Sequence, residues 1–255
     1  MRDEPKAGPD TGTEAETTAE TAAETGVGTR AGTEAETEAA LARAWSDVVD
    51  TARRTVADGL VVGTSGNVSA RVGDLVLVTP TGVPYDRLGP GEVVAVDLAG
   101  RQVRGELRPT SELPMHLAVY RQTPARAIVH THAPHATAVS TLVDELPAIH
   151  YMAAAMGGRI RVAGYARYGS QELADAVLGA LRDRTGCLMR NHGTLVYADT
   201  LARAFDHTAQ LEWMCRVWLM ARPAGTAPHT LSTRELAEVA EQLRGYGQRP
   251  PDGRG

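Results

Sequence analysis

At 255 residues and 43% hydrophobic content, the chain is long enough for one substantial domain, and no apolar run approaches the roughly 18 residues of a membrane span. The net charge of −5 belongs to one end: residues 1–38 hold ten acidic residues against Arg2, Lys6 and Arg30, a net of −7, which leaves about +2 for the rest. That remainder has no dense basic stripe and no interleaved aromatic platform, which argues against nucleic acid as a partner.

Residues 1–38 are rich in Thr, Glu, Ala and Gly, and the hexapeptide GTEAET occurs at 12–17 and again at 32–37. With few large apolar side chains the segment cannot offset its chain entropy, so it reads as a disordered acidic tail. From 39 to 59, Leu41, Trp45, Val48, Val49 and Ala52 recur at helical spacing, with Gly59 as the stop. Strands are expected at 68–71 and 75–79 around a Gly73-Asp74 turn, and at 93–96. Ser111 is positioned to cap a helix through Met115, Leu117 and Tyr120, with Pro114 in its first turn. A strand at 127–131 precedes a helix from about Pro134. Beyond it come a helix at 171–181 and strands at 187–189 and 194–197. A long helix at 201–220 buries Phe205, Leu211, Met214, Val217 and Trp218, and a last one at 233–244 opens with the Ser232/Glu235 capping box. Alternating strands and helices with tight strand pairs imply a layered α/β domain whose sheet is not purely parallel.

Three histidines carry the chemistry. His130 and His132 stand two apart at the end of an apolar strand, so their imidazoles share one face and can converge on one ion. His192, in a polar turn before Gly193, can complete a catalytic zinc site with a position open to substrate. Glu112 is the best acid–base candidate, since a carboxylate beside zinc can ligate it at rest and accept a proton once substrate arrives. Gly63 to Ser69, Thr79 to Gly82, and Thr110-Ser111 before a helix supply small residues, hydroxyls and backbone amides suited to an anion. Lys6 is the only lysine, so a Schiff base is not available and carbanion chemistry needs a metal. His116, His135, His150, His207 and His229 have no comparable partners and read as structural or surface residues. Cys187 and Cys215 form neither a disulfide framework nor a paired zinc motif, and no secretory pattern opens the chain; a cytoplasmic setting is expected.

Taken in order, GTSGNVSAR, TPTGVPYDRL, PTSELPMH, HTHAPHATAVS, PAIHYMAAAMGG, YARYGSQELA, NHGTLVYA and the terminal LRGYG resemble the class II aldolase/adducin family, and within it the bacterial L-fuculose-phosphate aldolases. The resemblance runs from about 41 to 247. It implies a three-layer α/β/α domain with a largely antiparallel central sheet over 39–247, followed by a flexible tail at 248–255. It also implies one Zn2+ per subunit held by Glu112, His130, His132 and His192, with Gly66, Asn67, Thr81, Gly82, Thr110 and Ser111 forming the substrate-phosphate pocket. Tyr151 matches a proton donor that reaches a neighbouring subunit's site in a homotetramer, and Tyr246 matches a tyrosine that closes over substrate.

The implied reaction is reversible cleavage of L-fuculose 1-phosphate, or a related ketose 1-phosphate, to dihydroxyacetone phosphate and an aldehyde. Close alternatives are a 5-deoxyribulose-1-phosphate aldolase, a pentulose-phosphate 4-epimerase, which usually carries aspartate where Glu112 stands, and a methylthioribulose-1-phosphate dehydratase. An adducin-like interaction module would be expected to lose the ligand set, which is complete here. Three positions depart from the family pattern. Thr110 stands where serine is usual, and Leu113 and Tyr168 replace tryptophan and phenylalanine, which bears on the aldehyde end. The acidic extension has no counterpart.

Overall fold

The computed structural model describes residues 20–245. Contacts divide the chain into two units, 1–42 and 43–255, and the sheet and the site belong to the second. Helix α1 is Glu20–Ala57. Its end matches expectation, since Gly59 adopts a φ of 69°, the left-handed conformation that stops helices. Its start does not: residues 20–38, read as disordered from composition, are helical. Alanine and glutamate are strong helix formers, a preference that the entropy argument leaves out.

Among the described residues nine strands form one sheet: β1 (Asn67–Val72), β2 (Leu75–Val78), β3 (Val94–Asp97), β4 (Gln102–Arg104), β5 (Ala127–Thr131), β6 (Glu145–Leu146), β7 (Ile160–Ala163), β8 (Gly186–Met189) and β9 (Gly193–Ala198). Their order is β4-β3-β2-β1-β5-β9-β8-β7-β6. Every pairing is antiparallel except β7 with β8. The Gly73-Asp74 hairpin is as expected, with Val72 opposite Leu75. The short β4, β6 and β7 were not expected: β4 is exposed throughout, β6 has two residues and β7 buries only its two ends, so none shows an alternating pattern.

Helices α2 (Leu113–Gln122) and α4 (Gln171–Ala180) cover one face, and α3 (Pro134–Leu142) and α5 (Leu201–Ala221) the other; α6 (Thr233–Leu243) follows. Ile128, Leu195, Val94 and Val96 pack under α2 and α4 with Met115, Tyr120 and Leu173. Full burial of side chains of this kind stabilises by about 1.5–3 kcal/mol each. The residue opposite in the alternation, Val129, points to the other helical layer. The fold is therefore the expected α/β/α sandwich with a mostly antiparallel centre. Ser111 does not cap α2: the cap position is Glu112, with no side-chain cap bond. In α5, Val217 is only half-buried while Phe205, Leu211, Met214 and Trp218 are buried as expected. The Ser232/Glu235 capping box is present. No described helix is long and apolar enough to cross a membrane.

Candidate metal centre and substrate cleft

The three central strands assemble the site. Asn67 on β1 lies opposite His130 on β5, and Thr131 opposite Thr194 on β9. His192 sits in the turn between β8 and β9, where Asn191 takes a φ of 55°. A Cβ on the next residue, Gly193, would fall 1.9 Å from the Thr131 carbonyl oxygen. Only glycine lets β9 come this close to the end of β5 and bring His192 to the other two histidines. Gly66 has a similar constraint, with a φ of 74° and a hypothetical Cβ 2.7 Å from the His130 carbonyl oxygen.

Glu112 enters from the start of α2, and its ligand atoms converge with those of His130, His132 and His192 within 4.8 Å of one another. Glu112 Oε2 lies 3.0 Å from His130 Nε2, Glu112 Oε1 lies 3.3 Å from His192 Nε2, and the Nε2 atoms of His130 and His132 are 3.2 Å apart. His130 Nδ1 donates to the Thr194 carbonyl at 2.7 Å, which leaves the Nε2 lone pair of its neutral form facing the centre. Glu112 Oε1 is buried and accepts no hydrogen bond. Four ligands about a tetrahedral ion with bonds of about 2.0–2.1 Å stand roughly 3.3 Å apart, close to the spacing seen. The residues fit a divalent cation on geometry and on donor chemistry.

Electrostatics agree. Burial favours the neutral form of Glu112, but the charge and hydrogen bond of His130, then His192 and Asn67, outweigh it and hold the carboxyl well below its usual range. Burial likewise opposes a proton on His130, yet the Glu112 carboxylate and the Thr194 carbonyl raise its pKa overall. His132 is pushed down to about 3 and His192 to about 4, by burial first and the charge on His130 second. The cluster thus sets a buried carboxylate against positive charge, whether a proton favoured on His130 or a bound divalent cation.

A cleft of about 360 Å³ opens over this centre, and Gly66, Asn67, Thr81, Gly82, Thr110 and Ser111 all line it beside Glu112, His132 and His192. Both Nδ2 hydrogens of Asn67 are engaged within the protein, by Thr110 Oγ1 at 3.0 Å and Glu112 Oε2 at 2.9 Å. Tyr168 stands exposed on the cleft, as does Tyr165, which the sequence reading passed over. Leu113 packs against the core instead. Tyr151 is not in this cleft: it begins a 3₁₀ turn, Tyr151–Met156, is half-exposed, and lines a separate cleft with His150 and Trp213. Tyr246 and the tail at 248–255 lie outside the described residues.

His135 is structural, as expected: Glu212 accepts from its backbone amide and that of Ala136 at the start of α3 and contacts its ring. His116 is not the isolated residue that the sequence suggested. It is fully buried and hydrogen-bonded on both ring nitrogens, to Asn67 and Ser69. The signal lay in the spacing of Glu112, His116 and Tyr120, each four apart and so on one face of α2.

The model of the Class II Aldolase and Adducin N-terminal domain matches residues 46–219. The L-fuculose phosphate aldolase of Escherichia coli K12 is 40% identical over 204 residues, 79% of this chain and 94% of that protein. The 5-deoxy-D-ribulose 1-phosphate aldolase of Bacillus thuringiensis serovar kurstaki is 35% identical over 211 residues, 82% and 99% of the two chains. A solved L-fuculose 1-phosphate aldolase is similar with a TM-score of 0.77 at 34% identity, over 79% of this chain and 96% of that one. Fold, cation-ready cluster and relatives agree: the chain belongs to the class II aldolase/adducin family and is an aldolase of that metal-dependent class.

Proposed function

We propose that this enzyme reversibly cleaves L-fuculose 1-phosphate, or a related ketose 1-phosphate, to dihydroxyacetone phosphate and an aldehyde, with zinc held by Glu112, His130, His132 and His192. The observation that carries this reading is the opening of the four-ligand cluster directly onto the cleft lined by the phosphate-pocket residues. Zinc supplies stabilisation for the negative charge that develops on the hydroxyketone oxygens. Backbone and hydroxyl groups of Gly66, Thr81, Gly82, Thr110 and Ser111 hold the phosphate. The Thr110 substitution keeps the hydroxyl that serine supplies elsewhere in the family. Glu112, through the oxygen that accepts no hydrogen bond, takes the proton from the hydroxymethyl carbon of dihydroxyacetone phosphate. In the cleavage direction it returns that proton.

Tyr151 of an adjoining subunit donates a proton to the aldehyde oxygen, and Tyr246 closes over the bound substrate. The placement of Tyr151 supports a homotetramer with intersubunit sites: it is exposed beside Trp213, itself 45% exposed, in a cleft apart from its own cation cluster. Such a tyrosine serves another subunit more readily than its own. A cytoplasmic location fits the free, buried Cys187 and Cys215.

A 5-deoxyribulose-1-phosphate substrate is the second reading, favoured by the 35% identical relative of that name and by Tyr168 at the cleft, where a polar ring can alter the fit of the aldehyde. Incubation of zinc-loaded enzyme with each ketose phosphate, with coupled detection of dihydroxyacetone phosphate, separates the two by kcat/KM. Triose phosphate from neither rejects both. Tyr151→Phe is expected to lower carbon–carbon cleavage by about 10²-fold while leaving hydrogen exchange on dihydroxyacetone phosphate within about threefold. Equal losses in the two assays contradict the donor role.

A further inference from the structure

A buried hydrogen-bond chain runs from the last turn of α2 to the acid–base carboxylate. Tyr120 OH lies 2.8 Å from Ser69 Oγ, which lies 2.7 Å from His116 Nδ1. His116 Nε2 lies 2.5 Å from Asn67 Oδ1, and Asn67 Nδ2 donates to Glu112 Oε2 at 2.9 Å. None of the five side chains belongs to a residue more than 5% exposed. Strand alternation places Asn67 and Ser69 on one face of β1, and four-residue spacing places His116 and Tyr120 on the facing side of α2.

Donor and acceptor chemistry gives this chain one direction. An ionised Glu112 only accepts, so the Asn67 amide must turn its nitrogen toward it and its oxygen away. That oxygen needs a donor, which fixes the proton of a neutral His116 on Nε2. His116 Nδ1 then accepts from the Ser69 hydroxyl, and Ser69 Oγ accepts from Tyr120. Burial, the largest influence on His116, pushes its pKa down to about 3 and keeps the ring neutral. The chain ends on Glu112 Oε2 and leaves Oε1 without a hydrogen bond.

We propose that His116, set by Ser69 and Tyr120, is a positioning residue that fixes the Asn67 amide and through it pins Glu112 Oε2, leaving Oε1 aimed at the proton it removes. The proposal rests on Glu112 being the proton acceptor, so its test includes a separate check of that role. The assay is hydrogen–deuterium exchange at the hydroxymethyl carbon of dihydroxyacetone phosphate by zinc-loaded enzyme, with metal content measured alongside.

His116→Leu, which removes the donor, is expected to lower kcat for exchange by about 10- to 100-fold, with KM within about twofold and zinc content unchanged, as misplacement of a reacting group does. His116→Gln, which retains an N–H donor near the Nε2 position, is expected to recover to within about threefold of the native rate. A kcat within twofold of native in His116→Leu overturns the proposal, as does a Gln variant no better than Leu, or a loss confined to KM or zinc content. Where His116→Leu shows no cooperative melt, Ser69→Ala takes its place. It releases the ring tautomer and is expected to lower kcat by about fivefold at constant KM, and an unchanged kcat overturns the proposal. Glu112→Gln in the same assay separates the two claims. Full exchange in that variant rejects the acceptor role itself, whereas its loss beside an unaffected His116→Leu rejects the positioning role alone.

Discussion

Glu112→Gln is expected to reduce turnover and dihydroxyacetone phosphate exchange by about 10³-fold, the range of a lost general base. The substitution is close to isosteric, so the amide oxygen can still accept from Asn67 Nδ2 in place of Oε2. The amide nitrogen then takes the place of Oε1, the oxygen that accepts no hydrogen bond, and it cannot take a proton. The three histidines remain, with His130 still oriented by the Thr194 carbonyl, so zinc is retained at saturating concentration while its affinity falls with the loss of the anionic ligand. KM is expected to change little, because the phosphate pocket is untouched. Steady-state kinetics beside zinc content of the dialysed protein check this. Near-native kcat would remove Glu112 from the proton-transfer role.

Gly193→Ala is expected to cost roughly 3 kcal/mol or more of stability, a fall in Tm of about 6–12 °C, and to abolish zinc binding as well. An added Cβ would meet three backbone atoms, the Thr131 carbonyl oxygen at 1.9 Å, its carbon at 2.9 Å and His132 Cα at 3.1 Å. None of these belongs to a side chain that can rotate away, so β5 and β9 must separate. That separation moves His192 from His130 and His132. Gly164→Ala is the matched control, since a Cβ there meets nothing within 4 Å. Thermal melts and zinc titrations of the two variants give the comparison. A Gly193→Ala protein with native Tm and zinc affinity would mean that strand spacing does not set the ligand cluster.

How far the sequence alone discloses this site depends on the range of each contact. His130 and His132 were legible because strand alternation is local: two residues apart is one face, whatever surrounds them. That Glu112 joins them was not local information. Local residues made Glu112 a candidate, but its place beside the histidines depends on how α2 docks on the sheet, which no local pattern supplies and the ordered motifs of a known family implied. His116 shows the same limit from the other side. Its four-residue spacing from Glu112 and Tyr120 was visible, but its partners Asn67 and Ser69 lie more than forty residues away on a strand whose register no local pattern supplies. For Tyr151 only the family resemblance pointed to a role, and the structure puts it at the surface away from its own cluster. Ser111 followed the general preference for serine caps, yet the helix begins one residue later because Glu112 takes the cap position while its side chain turns inward. In the acidic segment, helix propensity and entropy pointed in opposite directions, and the described part, 20–38, follows propensity.

The most direct test of the account is metal content and chelation on the active 255-residue enzyme. Elemental analysis is predicted to find one zinc per chain. Removal by a strong chelator is predicted to abolish dihydroxyacetone phosphate exchange, and added zinc to restore it. Because Glu112 and Thr194 raise the proton affinity of His130 in the metal-free cluster, rebinding near neutral pH is expected to release a proton and to weaken as pH falls. Protein that is active, free of bound metal and indifferent to the chelator would contradict the account.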